Sequence, residues 1–397
     1  MKWERKTLGE IITTKKGFAF ESSRYVDSGV PVVRVSDFTL DSISDADLKY
    51  YPLEEKQNYL DFELHTKDVI IQTVGSWQNN PNSVVGKVVR VPYFLEGALL
   101  NQNAVKLVPI ENVDSNFLFY RLKTEEFKGH VIGEARGAAN QASITLDTIK
   151  SFKFNIPDYD TQKYIGKILA TYDDLIENNQ KLIKLLEEAA QRLYKEWFVD
   201  LRFPGYEDVE IVDGVPKGWE EKFISDIADI KYGYAFDGKL FNSDGNGVPI
   251  IRIRNIPDGI TNDYTTEEVD DDFLAHNGDI IIGMDGEFHI NSWNGESAYL
   301  VQRTCSIRPY DNGMKGYLLQ AIYEPIKFFE ATLVGATVAH LGKKHLDTIK
   351  VKIAPNNLMK PFQELYKKRQ ALLNQNRKLS EARDRLLPKL ISGEVEV

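Results

Sequence analysis

Two short stretches contain residue types found in catalytic sites, but neither has the complete pattern. Asn79-Asn80-Pro81-Asn82 matches only part of the Asn-Pro-Pro-aromatic type motif of a methyltransferase, because the second proline and the aromatic residue are missing. Glu54-Glu55-Lys56 resembles a nuclease triplet, but Glu-x-Lys triplets are frequent in charged chains and no convincing second acidic ligand precedes it. The sequence also lacks a glycine-rich adenosylmethionine loop and the Gly-Lys-Ser/Thr ending of a phosphate-binding loop. We therefore expect a non-catalytic chain that binds no cofactor itself.

The sequence pattern does not favour a metal site or a nucleophilic site. The single Cys305 excludes an internal disulfide framework and fits a small apolar strand residue in a reducing cytosol. His65 and His276 lie in matching segments of the chain, described below, and we expect them to be structural. No pair of histidines has metal-ligand spacing on a helix, and no Ser/His/Asp order stands out among His65, His130, His276, His289, His340 and His345.

Length and composition indicate a folded chain of two or three globular units. The 397 residues are 42% hydrophobic and 27% charged, which are ordinary values for a globular protein. The N-terminal sequence lacks the apolar core of a signal peptide, and no apolar run is long enough to span a bilayer, so we expect a cytoplasmic protein. The net charge is -10, and almost all of this acidity lies in residues 199–357.

The chain contains one internal repeat. Both copies open with Trp-Glu, at Trp3 and Trp219. Four collinear matches are not explained by chance, so the repeat organises the fold. The matched segments are Lys15-Lys16-Gly17-Phe18-Ala19-Phe20 with Lys231-Tyr232-Gly233-Tyr234-Ala235-Phe236, residues 29–35 with 247–253, residues 65–71 with 276–282, and Leu146-Asp147-Thr148-Ile149-Lys150 with Leu346-Asp347-Thr348-Ile349-Lys350.

A long helix is predicted after each repeat. The matched segments themselves are short β-branched runs bounded by turn residues, which predicts β-rich domains. After Pro157, apolar residues recur at alternating steps of four and three, as in the seam of a coiled coil. On the second helix the neighbouring row Leu365, Leu372, Leu379 and Leu386 is the more apolar one. The first seam comprises Ile165, Leu169, Tyr172, Ile176, Asn179, Ile183, Leu186, Ala190, Leu193 and Trp197.

The predicted fold class is α+β, with two similar β-rich domains separated by two long antiparallel helices and related by internal pseudo-two-fold symmetry. The predicted boundaries are residues 1–158 for the first domain, 159–200 for the first helix, 201–357 for the second domain, and 358–397 for the second helix and tail. Asn179 and Asn376 coincide on the two seams. A polar residue on such a seam fixes the register of the helices, although a solvent-edge asparagine is the alternative.

This architecture suits a protein that reads two separated DNA half-sites, because a duplex presents equivalent groove faces about every 34 Å. A helix of roughly 35 residues is about 50 Å long and acts as a spacer. Duplicated domains on long helices also build adaptors that do not touch DNA. The repeat alone leaves both alternatives open.

The junction after the first helix resembles the central signature of Type I restriction-modification specificity subunits. It reads Leu193-Tyr194-Lys195-Glu196-Trp197-Phe198-Val199-Asp200-Leu201-Arg202-Phe203-Pro204-Gly205, followed by Val215-Pro216-Lys217-Gly218-Trp219. The C-terminal residues 385–395 resemble the ending of the same family, and the likeness extends over the whole chain.

This resemblance implies two target-recognition domains that each read one half of a bipartite site on double-stranded DNA. It also implies helices that dock two methyltransferase subunits, and a motor-nuclease subunit that joins for restriction. Adenosylmethionine, ATP and Mg²⁺ are then expected on those partner subunits. The alternative on the same scaffold is an adaptor or anti-restriction protein, which the acidic balance would suit.

Candidate DNA contacts lie where the two repeats diverge, because Arg and Lys read guanine, Asn and Gln read adenine, and cations bind phosphate. Ordinary polar turns and structural salt bridges are the alternatives for each residue. In the first repeat the candidates are Lys15, Lys16, Arg34, Ser36, Ser76, Trp77, Gln78, Asn79, Asn80, Asn82, Arg136, Asn140 and Gln141. In the second repeat they are Lys231, Arg252, Arg254, Asn255, His289, Asn291, Trp293, Asn294, Lys343 and Lys344.

Charge limits what the second domain can do alone. The stretch Glu267-Glu268-Val269-Asp270-Asp271-Asp272 is expected to face away from DNA. Because counterion release needs clustered cations, we expect tight DNA binding only in the complex with the methyltransferase subunits.

Overall fold

The computed structural model describes residues 3–39, 42–77, 84–138, 141–333 and 339–395. The chain forms two compact units. Unit 1 comprises Met1–Leu175 and Leu379–Val397, and unit 2 comprises Ile176–Lys378. Each unit therefore contains one β-rich domain and a part of both long helices. The domain boundaries predicted above instead treat each helix as a segment separate from the domains, and they stay a prediction.

The β-rich domain of unit 1 contains twelve labelled strands among the described residues. They are β1 (Glu4–Thr7), β2 (Ile12–Lys16), β3 (Val30–Val33), β4 (Lys49–Tyr51), β5 (Val69–Gln72), β6 (Val74–Gly75), β7 (Val88–Arg90), β8 (Leu99–Leu100), β9 (Ala104–Pro109), β10 (Arg136–Ala138), β11 (Gln141–Ser143) and β12 (Lys153–Ile156). The domain is built on a four-stranded sheet of order β2-β9-β5-β7 and a three-stranded sheet of order β4-β3-β8. Its helices are α1 (Ser115–Leu122), α2 (Glu125–Gly133) and α3 (Leu146–Lys150).

The first long helix, α4 (Tyr159–Tyr194), leads into the β-rich domain of unit 2. Its strands are β13 (Ile211–Val212), β14 (Val215–Pro216), β15 (Glu220–Phe223), β16 (Ala228–Tyr232), β17 (Phe241–Asn242), β18 (Val248–Ile251), β19 (Tyr264–Thr265), β20 (Leu274–Ala275), β21 (Ile280–Gly283), β22 (Ile290–Ser292), β23 (Ala298–Leu300), β24 (Thr304–Pro309) and β25 (Lys350–Ile353). The helices that follow α4 are α5 (Ile224–Ile227), α6 (Lys315–Ala321), α7 (Tyr323–Thr332), α8 (Lys343–Leu346) and the second long helix α9 (Asn356–Ser392).

The two domains share one topology, which confirms the α+β fold and the internal repeat. The sheet β16-β24-β21-β22 in unit 2 corresponds to β2-β9-β5-β7 in unit 1. Antiparallel pairs β1–β12 and β15–β25 close the two domains, and parallel pairs β3–β8 and β18–β23 form the second sheets. In each main sheet β-branched residues of the central strands are buried, as in β5 and β21.

The repeated Gly-aromatic-Ala-Phe motif has a packing function. A Cβ atom on Gly17 would lie 1.9 Å from the carbonyl oxygen of Asn101, and one on Gly233 would lie 2.1 Å from that of Val301. Only glycine allows this close approach of two backbone segments. The aromatic rings that follow pack edge-to-face, with centroids 5.1 Å apart for Phe18 and Phe20.

The matched histidines belong to equivalent turns rather than to a site. The backbone N–H of His65 donates to the Asp68 carboxylate at 2.8 Å, and that of His276 donates to Asp279 at 2.9 Å. A basic residue of the neighbouring strand then pairs with each carboxylate, Lys106 in unit 1 and Arg308 in unit 2. Both turns are thus held by a carboxylate that accepts from backbone and side-chain donors.

The two long helices run antiparallel, as predicted. Within unit 2, the Asn179 amide N–H donates to the Asn376 amide oxygen at 2.8 Å, and Arg369 pairs with Glu187 at 2.6 Å. Asn179 is only 6% exposed, so the solvent-edge alternative is wrong. The position of this pair supports a role in helix register.

The predicted seam of α4 is buried or half-buried along its whole length. On α9 the matching seam residues Phe362, Tyr366 and Arg369 are buried, and the leucine row is only half-buried. The leucine row of α9 is therefore the more apolar row but not the more buried one. Phe362 and Tyr366 are buried because they pack on the second domain as well as beside α4, which a heptad pattern cannot indicate.

The junction signature is an aromatic cluster. A π-helical turn, Lys195–Val199, follows α4 and stacks Phe198 on Tyr194 with centroids 5.4 Å apart. Phe198 and Phe203 both pack on Trp219, at 4.9 and 4.8 Å. In unit 1 the C-terminal turn contacts the other Trp-Glu opening, since a Cβ atom on Gly393 would lie 2.9 Å from the Trp3 ring. The motifs that carry the family resemblance therefore hold the helix ends to the domains.

Candidate nucleic-acid interface

In the main sheet of unit 1, strands β2 and β5 end on the same side of the sheet where β9 begins. β2 ends at Lys16, which pairs with Val105, and β5 ends at Gln72, which pairs with Ala104 at the start of β9. The turn 101–103 that precedes β9 therefore lies between the two strand ends. We call the side chains around this turn edge 1; its members are the exposed Lys15, Lys16, Gln102, Asn103, Arg136 and Gln141 and the half-buried Ser76 and Trp77.

A small sheet extends edge 1. Gly75 of β6 pairs with Ala142 of β11, and β11 pairs in turn with β10. This pairing brings Ser76 and Trp77 beside Arg136 and Gln141, which lie more than fifty residues later in the sequence. Four of the predicted contacts thus meet on one surface.

Unit 2 has an equivalent arrangement. Tyr232 of β16 and Gly283 of β21 pair with Cys305 and Thr304 at the start of β24, so the turn 301–303 again lies between two strand ends. Asp285 then bridges to His340, shortly before α8 begins. We call this surface edge 2; its members are Asp285, Glu287, His289, Gln302, Arg303, His340, Lys343 and Lys344.

The predicted cations differ in their partners. Lys15 and Lys16 are exposed and form no ion pair with any described residue. Arg34 pairs with Asp37 at 2.7 Å and with Asp47 at 3.3 Å. Burial lowers the pKa of the Arg34 guanidinium, but its hydrogen bonds to these carboxylates outweigh burial and raise it. Arg34 is thus held by the protein itself, like a structural ion pair.

Four further candidates also have internal partners. Arg254 pairs with Asp263 at 2.5 Å, and Asn255 donates to the same carboxylate at 3.2 Å. The Arg252 guanidinium lies 5.5 Å from the centre of the Phe241 ring. Ser36 is exposed but contacts Asp37 at 3.2 Å.

Lys231 lies against the acidic stretch that was expected to face away from DNA. Its ammonium group is 3.4 Å from Asp272 and 3.7 Å from Asp229. Two predictions are therefore incompatible. Lys231 was expected to contact phosphate, and the acidic stretch that it touches was expected to face away from DNA. The sequence did not indicate this contact because Asp272 is 41 residues away.

Residues 286–295 contain four of the candidates and do not form a single loop. Strand β22 lies within this range and carries the chain to the opposite end of β21, where Trp293 donates its backbone N–H to the Asp279 carbonyl oxygen. Trp293 is 1% exposed and Asn294 is 6% exposed, so both are core residues. Asn291 donates to two backbone carbonyls and accepts from Arg369. The structure brings only His289 of this group to edge 2.

The remaining candidates are exposed or undescribed. Lys343 and Lys344 are exposed in the first turn of α8. His289 is half-buried, with its imidazole 3.5 Å from Glu287. Gln78, Asn79, Asn80, Asn82 and Asn140 lie outside the described residues.

The turns at the centre of each edge were not among the predicted contacts. Gln102 and Asn103 are exposed in unit 1, and Gln302 and Arg303 are exposed in unit 2. Only the glutamine is common to both turns, so sequence comparison of the repeats gave a weak signal. Within the described ranges no cluster of His, Cys, Asp and Glu has the arrangement of a metal site, and none of the helices could cross a membrane.

Comparison with known proteins identifies the family. The family model described as Type I restriction modification DNA specificity domain matches residues 1–188 and 216–360. The chain is 26% identical over 315 residues to the MjaIX specificity subunit of Methanocaldococcus jannaschii, which covers 75% of this chain and 73% of that protein. It is 24% identical to the putative MjaX specificity subunit of the same organism, over 100% and 94% of the two chains.

Structural comparison agrees on the fold. The S subunit of a Type I restriction-modification system from M. genitalium superposes with a TM-score of 0.53 over 98% of this chain and 96% of that one, at 16% identity. Because the family model covers well over half of the residues in two segments, the chain belongs to the Type I restriction-modification DNA specificity family.

Proposed function

We propose that this chain reads DNA sequence for a Type I restriction-modification complex, with edge 1 and edge 2 each reading one half of a bipartite site. The observation that carries the proposal is the repeated edge: one backbone arrangement presents different exposed side chains in the two units. Two readers of different half-sites require the same scaffold and different side chains. The long helices set the spacing of the half-sites.

In this proposal the chain supplies recognition and no catalysis. Two methyltransferase subunits dock on it and bind adenosylmethionine, and a motor-nuclease subunit that uses ATP and Mg²⁺ joins for restriction in the cytoplasm. The relatives named above are specificity subunits of restriction enzymes, which supports this division of labour.

A methyl-transfer assay tests the proposal. The chain is co-purified with the methyltransferase subunits of its host, and transfer of labelled methyl groups from adenosylmethionine to genomic DNA is measured. We expect transfer with the complex, and none with either component alone. Assembly of the complex without any transfer would contradict the proposal and favour an adaptor that does not read DNA.

A further inference from the structure

Asn103 and Arg303 occupy the same backbone position in the two edges. The backbone N–H of Thr73 donates to the Asn103 carbonyl oxygen at 2.8 Å, and that of Met284 donates to the Arg303 carbonyl oxygen at 2.9 Å. Both residues have left-handed backbone angles, with φ of 71° and 70°. This conformation is uncommon for residues other than glycine and clusters at functional sites.

The residues that precede them are also fixed in the same way. The Gln102 N–H donates to the Phe18 carbonyl oxygen at 2.8 Å, and the Gln302 N–H donates to that of Tyr234 at 2.7 Å. Each turn is therefore anchored to the repeated glycine-aromatic segment on one side and to the end of a central strand on the other. Each turn has two exposed side chains, and of these the glutamine is the same in both units while the residue at 103 or 303 differs.

Arg303 is oriented by its neighbours but remains open. Its Nη1 lies 3.1 Å from His340 Nε2, and its Nε lies 3.4 Å from Asp285. His340 Nδ1 lies 2.6 Å from the same carboxylate. Arg303 Nη1 also lies 3.2 Å from His340 Nδ1, so it is almost equidistant from the two ring nitrogens and rests against the imidazole, which itself contacts Asp285. The Arg303 side chain is 51% exposed, so part of its N–H fork is available to another acceptor pair.

Unit 1 presents different chemistry at the same three positions. Val74 pairs with Ser143 where Asp285 bridges to His340. Asn103 is exposed, and its side chain forms no hydrogen bond with a described residue. An uncharged amide needs no carboxylate to hold it, whereas the guanidinium is held by one. The side chains at all three positions differ between unit 1 and unit 2, whereas the backbone arrangement is the same.

From this pattern we infer that residues 103 and 303 are paired specificity-determining residues, with Arg303 contacting a guanine in one half-site and Asn103 an adenine in the other. A guanidinium can donate two N–H bonds to guanine O6 and N7, and an amide can form two bonds to adenine N6 and N7. The inference rests on the proposed function, because it names residues of the same two edges.

The test compares methylation motifs of cells that express the methyltransferase subunits with the full-length chain or a variant. R303N places the unit 1 side chain in unit 2, and N103R does the reverse. We expect R303N to reduce the preference for guanine at one position of one half-site by roughly tenfold or more. N103R should alter one position of the other half-site, and the gap should stay unchanged.

R24N is the matched control. Arg24 is 41% exposed and pairs with the Glu55 carboxylate, but it is not part of either edge. Its motif should equal that of the unmodified chain.

Three results separate the outcomes. Unchanged base preferences in both R303N and N103R would overturn the inference. Should R303N fail to assemble, N103R decides alone, since the Asn103 side chain has no partner among the described residues to lose. Absence of any two-part motif with the unmodified chain would instead contradict the proposed function.

Discussion

At the scale of single residues, the buried Asp279 carboxylate depends on the cations around it. Its side chain is 2% exposed and pairs with Arg308 and Lys315. Burial raises its pKa, but hydrogen bonds from Arg308 and the His276 N–H, with the Lys315 charge, outweigh burial, so its pKa lies below the usual value. Removing one partner of such a pair leaves the other uncompensated.

We expect D279N to lower the free energy of unfolding of unit 2 by about 3 kcal/mol at pH 7. Because the folded-state pKa is depressed, the charged carboxylate stabilises the fold above the unfolded-state pKa of about 4 and ceases to do so as pH falls through the lower folded-state value. Urea titrations at pH 7 and pH 3.5 measure both effects. D68N, whose carboxylate is 24% exposed, should cost less; equal losses for the two variants would contradict this account.

Electrostatic partners also separate the exposed candidate cations from those that the protein itself neutralises. Lys15 and Lys16 are exposed at the end of strand β2, and Lys343 and Lys344 are exposed in helix α8. The partners of Lys231 and Arg34 come from other segments, so no local pattern indicates them. The equivalence of Asn103 and Arg303 depends on hydrogen bonds to Thr73 and Met284, which only the folded chain reveals.

At the scale of elements, the glycine at each edge fixes the turn that carries the proposed reading residue. We expect G17A to lower the free energy of unfolding of unit 1 by about 2 kcal/mol, since its Cβ would lie 1.9 Å from a backbone oxygen. G129A is the control, because nothing lies within 4 Å of its Cβ in helix α2, and it should be neutral or slightly stabilising. Thermal unfolding of both variants, compared with the unmodified chain, measures the difference; similar stabilities would show that the turn can move.

The Asn179–Asn376 pair makes a second prediction about elements. N179A leaves the Asn376 amide without its donor on a buried seam and should cost about 1–2 kcal/mol in urea unfolding. The double variant N179L/N376L should be more stable than N179A, because two apolar residues replace a satisfied polar pair. A double variant less stable than N179A would mean that the Asn179–Asn376 pair stabilises the fold in addition to fixing the register of the helices.

Element prediction from sequence succeeded where one face of an element is apolar. The α4 seam has that pattern, whereas strands β5 and β21 are buried on both faces and are nearly continuous apolar runs. Strand β22 has no such pattern, because Asn291 and Ser292 are polar. It forms because β21 offers a pairing edge, and α9 supplies Arg369 and Gln370 as partners for its polar side chains. Such compensation comes from distant residues and leaves no local signal.

At the scale of the whole molecule, charge limits autonomous DNA binding. The net charge is -10, and the described cations Arg34, Lys231 and Arg254 are neutralised by carboxylates. With an acidic net charge and these candidates already paired, the isolated chain should bind DNA weakly and with a shallow salt dependence. Fluorescence anisotropy at 50 and 200 mM salt compares the chain alone with its methyltransferase complex; equal affinities would contradict this expectation.

The central claim, that one chain reads two half-sites, is tested most directly by single-molecule methylome sequencing. DNA from cells that express this chain with its companion methyltransferase is compared with DNA from cells that express the methyltransferase alone. We predict a new methylated motif in two parts, separated by a gap of fixed length and no sequence preference. A continuous motif, or no new motif although the complex assembles, would contradict the claim.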